Sequence, residues 1–381
     1  MVVTSERDDH ERPVVVAALR TPIGTAGGAL ASVPAADLAA PVLRALAGVV
    51  PLPVQEVVLG NCTGPGGDLA RVAALAAGLG TDVPGLTVDR QCGSGLAAVD
   101  VGAALVRPGG LVLAGGVESA STAPLRFWPG EPPVRYERAP FAPESLGDPD
   151  MGCAADVLAA KAGVARERQD AYAARSHARA VATRDAGGFD AETVPVGGVT
   201  RDERPRPITV ERLARLRPAF RPEAEGGTVT AGTSCGVNDG AAVVALVDAA
   251  THRSLGVPGM RVLATATAGV DPNLPGLGLV PAARTALARA GLDLADVDVV
   301  ELNEAFAGQV LACCDELGLD EHRVCAEGGA LALGHPWGAS GAVLVVRLFS
   351  QLVRADRGRY GLAAIAVGGG QGVAMVVERC R

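Results

Sequence analysis

The stretch Val88-Asp89-Arg90-Gln91-Cys92-Gly93-Ser94-Gly95-Leu96 is the segment from which the fold of this chain can be worked out. An apolar segment, 85–88, leads into it, and an Ala/Val-rich pattern with helical spacing continues to Leu105. This order predicts a strand, a tight turn at Cys92 and then a helix. The first turn of a helix carries backbone N–H groups without intrahelical partners, and such groups stabilise a thiolate. We therefore expect the pKa of Cys92 to fall.

A cysteine in such a segment has two interpretations. It can be a small buried hydrophobe, because free cysteines are often part of the core. It can also be a nucleophile, and the flanking glycines, Gly93 and Gly95, favour this second interpretation. A glycine lets a ligand approach the backbone closely, which a core cysteine does not require.

Apolar runs and helical patterns alternate along most of the chain. The runs are 13–19, 56–61, 85–88, 110–116, 241–247, 262–268, 297–301 and 361–369, and the helical patterns are 35–49, 69–79, 280–290, 305–317 and 342–353. This alternation is typical of an α/β protein with a mostly parallel sheet. Both halves run strand, turn of small residues, helix and glycine-terminated strand, which predicts an internal duplication.

The segment from residue 119 to residue 236 has a different character. It contains Trp128, Tyr136 and Tyr172, many prolines, a polar loop and an amphipathic helical pattern at 166–184. We interpret this segment as an insertion. The predicted units are a first half at 1–118, completed by about 237–250, an inserted loop domain at 119–236, and a second half at 251–381.

Composition excludes several classes of function. With 381 residues the chain exceeds the usual size of a single hydrophobic core. A formal charge of −8 and only 3% aromatic residues argue against nucleic acid as a partner. The eight cysteines show no Cys-x-x-Cys pair, so we predict no metal site. The sequence shows no apolar run typical of a membrane span and no leader pattern, so we expect a cytoplasmic protein with reduced thiols and no membrane partner.

Cys92-Gly93-Ser94-Gly95-Leu96 resembles the nucleophile motif of the thiolase family of acyl-CoA acyltransferases. Further motifs of that family follow in family order: Gly115-Gly116-Val117-Glu118-Ser119, Met151-Gly152, Arg168-Gln169-Asp170-Ala171-Tyr172, Thr228-Val229-Thr230-Ala231-Gly232, Asn238-Asp239-Gly240, Asn303-Glu304-Ala305-Phe306, Gly334-His335-Pro336 and Gly368-Gly369-Gly370-Gln371-Gly372. The resemblance implies a layered αβαβα sandwich of two duplicated halves with a loop domain inserted in the first. It also implies a homodimer or homotetramer whose substrate is an acyl-CoA thioester, with no other cofactor.

The resemblance assigns roles to individual residues. Cys92 would take the acyl group and His335 would activate it. Asn303, through a bound water, would help His335 hold the thioester oxygen, although a helix N-cap is an alternative role for Asn303. Backbone N–H groups of Cys92 and Gly368 would form a second oxyanion hole. Six residues occupy motif positions that line the pantetheine tunnel in relatives: Met151, Phe220, Ala231, Cys235, Ala305 and Phe306. Each could equally be an ordinary core residue.

Charged and titratable side chains outside these motifs receive weaker assignments. Arg206 could meet a CoA phosphate, or it could be a solvated loop charge. The remaining histidines, which lie in polar stretches of sequence, are predicted to be solvated: His10, His177, His252 and His322.

The sequence departs from the family pattern at Ala366. Thiolases usually carry a second cysteine there, the general base that takes a proton from the attacking acyl-CoA. A variant class places that cysteine at the position of Ala305, so neither arrangement is present. Three functions remain open. The first is Claisen condensation or thiolysis, in which Cys235 or a substrate carboxylate supplies the proton step. The second is acyl transfer to an amine, an alcohol or a decarboxylating malonyl thioester. The third is non-catalytic CoA binding. Retention of the other motifs disfavours the third.

Overall fold

The computed structural model describes residues 12–381, so the predicted solvation of His10 falls outside the described residues. The strands are β1 (Val14–Arg20), β2 (Gly24–Thr25), β3 (Val54–Gly60), β4 (Gly85–Val88), β5 (Leu111–Ser119), β6 (Arg126–Trp128), β7 (Val134–Tyr136), β8 (Asn238–Val247), β9 (Gly259–Gly269), β10 (Val299–Leu302), β11 (Tyr360–Val367) and β12 (Gln371–Cys380). The α-helices are α1 (Ala35–Val49), α2 (Leu69–Ala76), α3 (Ser94–Leu105), α4 (Met151–Lys161), α5 (Arg166–Asp185), α6 (Val210–Leu213), α7 (Ala249–Leu255), α8 (Leu279–Ala290), α9 (Ala307–Leu317), α10 (Ala330–Leu333) and α11 (Trp337–Phe349).

The main sheet is mixed, with the strand order β10-β11-β12-β9-β1-β8-β5-β3-β4. Strand β3 is parallel to β4 and β5, and β10 is parallel to β11. The pairs that involve β1, β8, β9 or β12 are antiparallel. The prediction of a mostly parallel sheet is therefore wrong. The cause is that β8 and β12 each return beside the last parallel strand of their half and reverse the chain direction.

The two halves share one topology, which supports the predicted duplication. The first half contributes β1, β3, β4, β5 and β8, which are its strands 1 to 5 in chain order. In the sheet they lie in the order β4-β3-β5-β8-β1, that is 3-2-4-5-1. In the second half the order β10-β11-β12-β9 repeats 2-4-5-1. The third strand is represented there by Val324, which forms an isolated parallel bridge with Val300 of β10.

Three apolar clusters fill the spaces between the layers. One cluster packs α1 and α2 against the first half of the sheet, and another packs α8 and α9 against the second half. Between the halves a third cluster surrounds α3 and α11. This is the layered αβαβα arrangement that the resemblance implies. In the described part of the chain, none of the helices combines the length and apolarity that a membrane span requires.

The central helices α3 and α11 touch through glycines. A Cβ at Gly95 would lie 2.8 Å from the carbonyl oxygen of Gly338, and one at Gly341 would lie 2.4 Å from the nitrogen of Leu96. Helix α11 begins at Trp337, with Pro336 as its N-cap residue, and not at residue 342 as the sequence pattern suggests. The small residues that look like a turn in the sequence instead allow close helix packing.

Residues between β5 and β8 form the β6–β7 hairpin, α4, α5, α6 and their loops. Buried ion pairs tie this segment to the first half of the sheet. Arg20 of β1 donates to Glu192 at 2.7 Å and to Asp202 at 2.6 Å. Burial opposes the charge on Glu192, but Arg347 and Arg20 outweigh it and lower the pKa of that carboxyl.

Gly116→Ala is expected to destabilise the fold, because a Cβ at Gly116 would lie 1.9 Å from the carbonyl oxygen of Gly338. Overpacking of this kind typically costs roughly 1–3 kcal/mol. Gly48→Ala is the matched control, since Gly48 lies in α1 with open space around its Cβ position. That change should be neutral or stabilising by about 0.4–1 kcal/mol. Urea unfolding curves test both, and equal midpoints for the two variants would contradict the packing argument.

Candidate active site

Cys92 lies at the turn between β4 and α3, as the sequence predicts. Gln91, just before it, has φ 47° and so adopts a left-handed conformation that is uncommon for a residue other than glycine. Ser94 holds this turn, because its Oγ donates to the Gln91 carbonyl at 2.6 Å and accepts from the Arg90 N–H at 2.8 Å. The backbone is therefore fixed on both sides of the thiol.

The glycines beside Cys92 have a different role from the predicted one. A Cβ at Gly93 would lie 2.7 Å from Val367 Cγ2, and the Cβ position of Gly95 is blocked by α11. These glycines thus allow protein segments to pack closely, and the expectation that they admit a ligand to the backbone is wrong. Open space lies instead on the side of the thiol itself.

The thiol opens onto a cavity of about 120 Å³. Its lining is mostly apolar and comes from both halves of the fold and from the segment between them: Cys92, Met151, Ala154, Ala155, Cys235, Pro275, Gly276, Ala305, Phe306, Gln309, His335, Trp337, Ala366, Val367 and Gly368. Cys92, His335 and Gly368, three residues assigned chemical roles from the sequence, therefore meet in one place. Ala366, where the family carries its second cysteine, faces the same cavity.

His335 is buried, with 3% of its surface exposed. Its backbone N–H donates to Asn238 Oδ1 at 2.9 Å, and Asn238 in turn donates to the Gly24 carbonyl. The ring nitrogen Nδ1 lies 2.6 Å from Ser340 Oγ. Because this contact occupies Nδ1, Nε2 is the nitrogen left for the cavity. Burial lowers the pKa of the His335 imidazole to about 4, so the ring is neutral at physiological pH.

Gly368 begins the tight turn between β11 and β12. The next two residues, Gly369 and Gly370, have φ of 80° and 75°, which glycine adopts without strain. The Phe141 ring packs where a Cβ of Gly368 would be, with its Cδ2 only 2.6 Å from that position. The turn thereby brings the Gly368 N–H near enough to the Cys92 thiol to lower its pKa, as the N–H of Cys92 itself does.

The pKa of Cys92 is raised, contrary to the sequence prediction. Burial raises it to about 12, and hydrogen bonds from the backbone N–H groups of Cys92 and Gly368 offset only part of this effect. The sequence prediction of a lowered pKa rests on the N–H groups at the helix terminus. It could not include the burial of the turn between two layers, which raises the pKa. The resting site thus holds a neutral thiol and a neutral imidazole, and the proton must move when the nucleophile attacks.

Asn303 lies in a neighbouring cavity and does not line the one that contains the thiol. This second cavity has a volume of about 10 Å³, roughly enough for one water, and Ser340 also lines it. A cavity of this size beside Asn303 agrees with the prediction that Asn303 acts through a bound water. The alternative role as a helix N-cap is wrong, because α9 begins later, after Phe306 as its N-cap residue.

The predicted tunnel residues divide into two groups. Met151, Cys235, Ala305 and Phe306 line the cavity. The other two do not: Phe220 packs edge-to-face on Phe306 at 5.9 Å, and Ala231 is exposed. Arg206, for which contact with a CoA phosphate or a solvated loop position is predicted, is exposed on its loop. These three residues therefore do not line the cavity itself, and their contact with a ligand stays a prediction.

Two further corrections concern the histidines. His177 and His252 are buried, with 2% and 4% of their surfaces exposed, whereas His322 is exposed as predicted. His177 lies on the inner face of α5, and His252 Nε2 contacts the Val257 carbonyl at 2.8 Å. Neither residue lines the cavity. A polar neighbourhood in sequence did not reveal that these helix faces turn inward.

Sequence reasoning also missed several cavity residues. Gln309 of α9 is buried and donates through Nε2 to the Gly276 carbonyl at 3.2 Å. Trp337 begins α11, directly after the turn that carries His335. Ala305 precedes α9, so helical spacing does not relate it to Gln309, and nothing local in the sequence places Gly276 against Gln309.

A thiol near two backbone N–H groups and a neutral imidazole, beside an apolar cavity, is an arrangement that can support nucleophilic chemistry at sulfur. Residues 13–250 match the family model described as "Thiolase, N-terminal domain", and residues 257–379 match "Thiolase, C-terminal domain". The chain belongs to the thiolase family and is an acyltransferase enzyme of that superfamily.

Individual relatives cover nearly the whole chain. An acetyl-CoA acetyltransferase of Pseudomonas aeruginosa is 43% identical over 392 residues, covering 96% of this chain and 99% of that protein. A 3-ketoacyl-CoA thiolase of Klebsiella pneumoniae is 41% identical, covering 97% and 100%. The crystal structure of the Bacillus anthracis acetyl-CoA acetyltransferase superposes with a TM-score of 0.90 at 38% identity, covering 97% of this chain and 99% of that one. The predicted thiolase fold is thereby confirmed.

Proposed function

We propose that this enzyme takes an acyl group from a CoA thioester onto Cys92 and transfers it to a carbon acceptor, or runs this reaction in reverse. The observation that supports the proposal is the meeting of Cys92, His335 and the Gly368 N–H at one cavity. Neutral His335 accepts the thiol proton as sulfur attacks the acyl carbon. The N–H groups of Cys92 and Gly368 then face the acyl oxygen, and each such donor typically lowers the barrier by about 3–4 kcal/mol. Asn303 contributes through a water in the neighbouring cavity.

A second candidate function changes only the acceptor. A methyl group at Ala366 cannot remove a proton from a second acyl-CoA, yet this side chain faces the cavity. An amine or alcohol acceptor requires no carbanion, and a malonyl-type donor forms its carbanion by losing CO₂. Both alternatives keep the acyl-Cys92 step. A non-catalytic CoA-binding role is disfavoured, since it gives no reason to keep the thiol, imidazole and backbone donors together.

Intact-protein mass spectrometry with a panel of acyl-CoAs tests the proposal. The protein should gain one acyl group from its preferred donors and release an equal amount of free CoA. Cys92→Ala, which removes the nucleophile and leaves the cavity lining otherwise unchanged, should gain none. An unmodified wild-type protein after exposure to every donor of the panel would overturn the proposed function.

The rate of acylation is expected to change little with pH across the neutral range. His335 must be neutral to accept the proton, and burial holds its pKa at about 4. The rate should therefore be flat down to about pH 5 and fall as the pH drops through about 4. Stopped-flow measurement of CoA release checks this, with circular dichroism confirming the fold at each pH. A midpoint near the ordinary imidazole value of ~6.5 would show that another arrangement operates.

We expect a homodimer, or a tetramer built from two dimers. The apolar segment 110–116 is not free to form the interface, because β5 is buried inside the chain between β3 and β8. Strand β4 ends the sheet instead, and its Leu86 is 41% exposed. Pairing of two such edges would cover this strand. Light scattering at micromolar concentration should give at least twice the chain mass, and a monomer mass would refute the expectation.

The free state of all eight cysteines also agrees with a reducing compartment such as the cytoplasm.

A further inference from the structure

The cavity contains few groups that can exchange a proton. Among its lining residues the titratable side chains are Cys92, Cys235 and His335, and the rest are glycines, apolar residues, Gln309 and Trp337. Cys92 is bonded to the acyl group during the second half-reaction, and His335 has already received the proton of Cys92. If the enzyme forms a carbanion by proton removal, the lining leaves Cys235 as the group that can remove that proton.

Cys235 is held in place at the end of the segment that precedes β8. Its backbone N–H donates to the Ala305 carbonyl at 2.9 Å, and the adjacent Ser234 forms a bridge with Phe306. Ala305 and Phe306 themselves line the cavity, so these contacts fix Cys235 against the ligand space. The side chain is only partly exposed, and no disulfide engages it.

The two cavity thiols lie close enough to influence each other. Burial raises the pKa of Cys235 to about 12, and the charge of Cys92 is the next largest cause of that rise. Acylation removes the possibility of charge on Cys92 and leaves His335 protonated. Both changes favour a thiolate at Cys235 during the second half-reaction. A thiolate in such a buried place is also a strong base, as removal of a carbon-bound proton requires.

We propose that the Cys235 thiol is the acid–base group of carbon–carbon bond formation in this enzyme, in place of the cysteine that relatives carry at the position of Ala366. This inference rests on the proposed acyl-Cys92 function. It assigns to Cys235 a catalytic role that differs from contact with pantetheine.

The protons and bonds balance over the two half-reactions. The Cys92 proton passes to His335 Nε2, sulfur bonds to the acyl carbon, and the departing CoA thiolate takes the proton of Cys235. The Cys235 thiolate then removes a proton from the α-carbon of a second acyl-CoA. The resulting carbanion bonds to the acyl carbon, the bond from that carbon to Cys92 breaks, and the His335 proton returns to Cys92. Two acyl-CoA molecules give one 3-oxoacyl-CoA and free CoA, with no oxidation or reduction.

Proton exchange separates this role from the first half-reaction. Wild type, Cys235→Ser and Cys235→Ala are incubated with acetyl-CoA in D₂O, and three quantities are measured: acylation of Cys92, deuterium in the acetyl methyl of CoA thioester, and acetoacetyl-CoA. Loss of a general base should reduce exchange and condensation by about 10²–10⁴-fold in both variants. Acylation of Cys92 should fall by less than about tenfold, because a CoA thiolate can leave and take its proton from solvent when Cys235 cannot supply it. Cys380→Ser, a change at the far end of β12, is the control and should match wild type.

The outcomes are distinct. Exchange in wild type that is lost in both Cys235 variants, with acylation kept, supports the proposal. Exchange retained in Cys235→Ala overturns it and leaves the proposed function intact. Acylation of wild type without any exchange also overturns it and favours an acceptor that needs no proton removal. Failure of wild type to become acylated on Cys92 by any donor of the acyl-CoA panel overturns the proposed function first and this inference with it.

Discussion

Adding Ala366→Cys to the Cys235→Ser variant is expected to raise acetoacetyl-CoA formation by about 10²–10⁴-fold, the usual contribution of a general base. Ala366 lines the same cavity as Cys92 and His335, so a thiol at this position reaches the reacting atoms. The rate of Cys92 acylation should stay within about twofold, since the change spares the nucleophile and the backbone donors. Condensation assays of the single and double variants, each first shown to acylate fully, make the comparison.

Ala366→Ser in the same Cys235→Ser background is the matched control. Serine is close to cysteine in size but is a far weaker acid than a thiol, so it should give little rescue. If the two double variants condense equally, the gain comes from packing and not from a transferred proton. If neither exceeds Cys235→Ser, position 366 cannot serve as the base in this cavity, and the account of Ala366 is wrong.

His335→Ala is expected to slow acylation of Cys92 by about 10²–10⁴-fold. The pKa of Cys92 is about 12, so few thiolates exist at neutral pH and the proton must be removed during attack. His335 Nε2 is the base available for this step, because Nδ1 contacts Ser340. Single-turnover release of CoA measures the effect. The variant should also gain rate as the pH rises, because hydroxide then generates the thiolate that the imidazole no longer provides.

Added imidazole distinguishes a catalytic role of His335 from a purely structural one, because only a lost catalytic imidazole can be replaced by free imidazole. The substitution leaves space beside an existing cavity, so free imidazole should restore part of the rate to His335→Ala. Ser340→Ala, which removes only the contact to Nδ1, should have a smaller effect on the rate. A loss below tenfold in His335→Ala, without rescue, would mean that Cys92 reacts by a route independent of the imidazole.

The elements that position the nucleophile could be predicted because their signals are local. Residues 85–105 show a short apolar run, a turn of small residues and a helical pattern, and the structure places β4, the turn and α3 there. By contrast, β12 was missed, because the glycine run before Gln371 was taken as the end of a strand. A return strand reveals its direction only through its partners, and this error produced the prediction of a mostly parallel sheet.

Which residues form the site was harder to predict from the sequence than where the site lies. The turn between a predicted strand and helix indicates Cys92, whereas the roles of His335 and Gly368 come from the motifs that resemble the thiolase family. Motif order predicts Phe220 in the pantetheine tunnel, yet its ring packs on Phe306 and does not line the cavity, because the path of its loop is set by packing that sequence spacing does not encode. The pKa of Cys92 depends on burial between layers, so a prediction from the helix terminus alone gave the wrong direction.

The most direct test of the account is the location of the acyl group on the wild-type protein. After brief incubation with acetyl-CoA and an acid quench, proteolysis and mass spectrometry of the peptides identify the modified residue. The account predicts one acetyl group, on the peptide that carries Cys92, with Cys235 unmodified. An acetyl group on Cys235 while Cys92 remains free would contradict the central claim, because the two cavity thiols would then have exchanged the roles assigned to them.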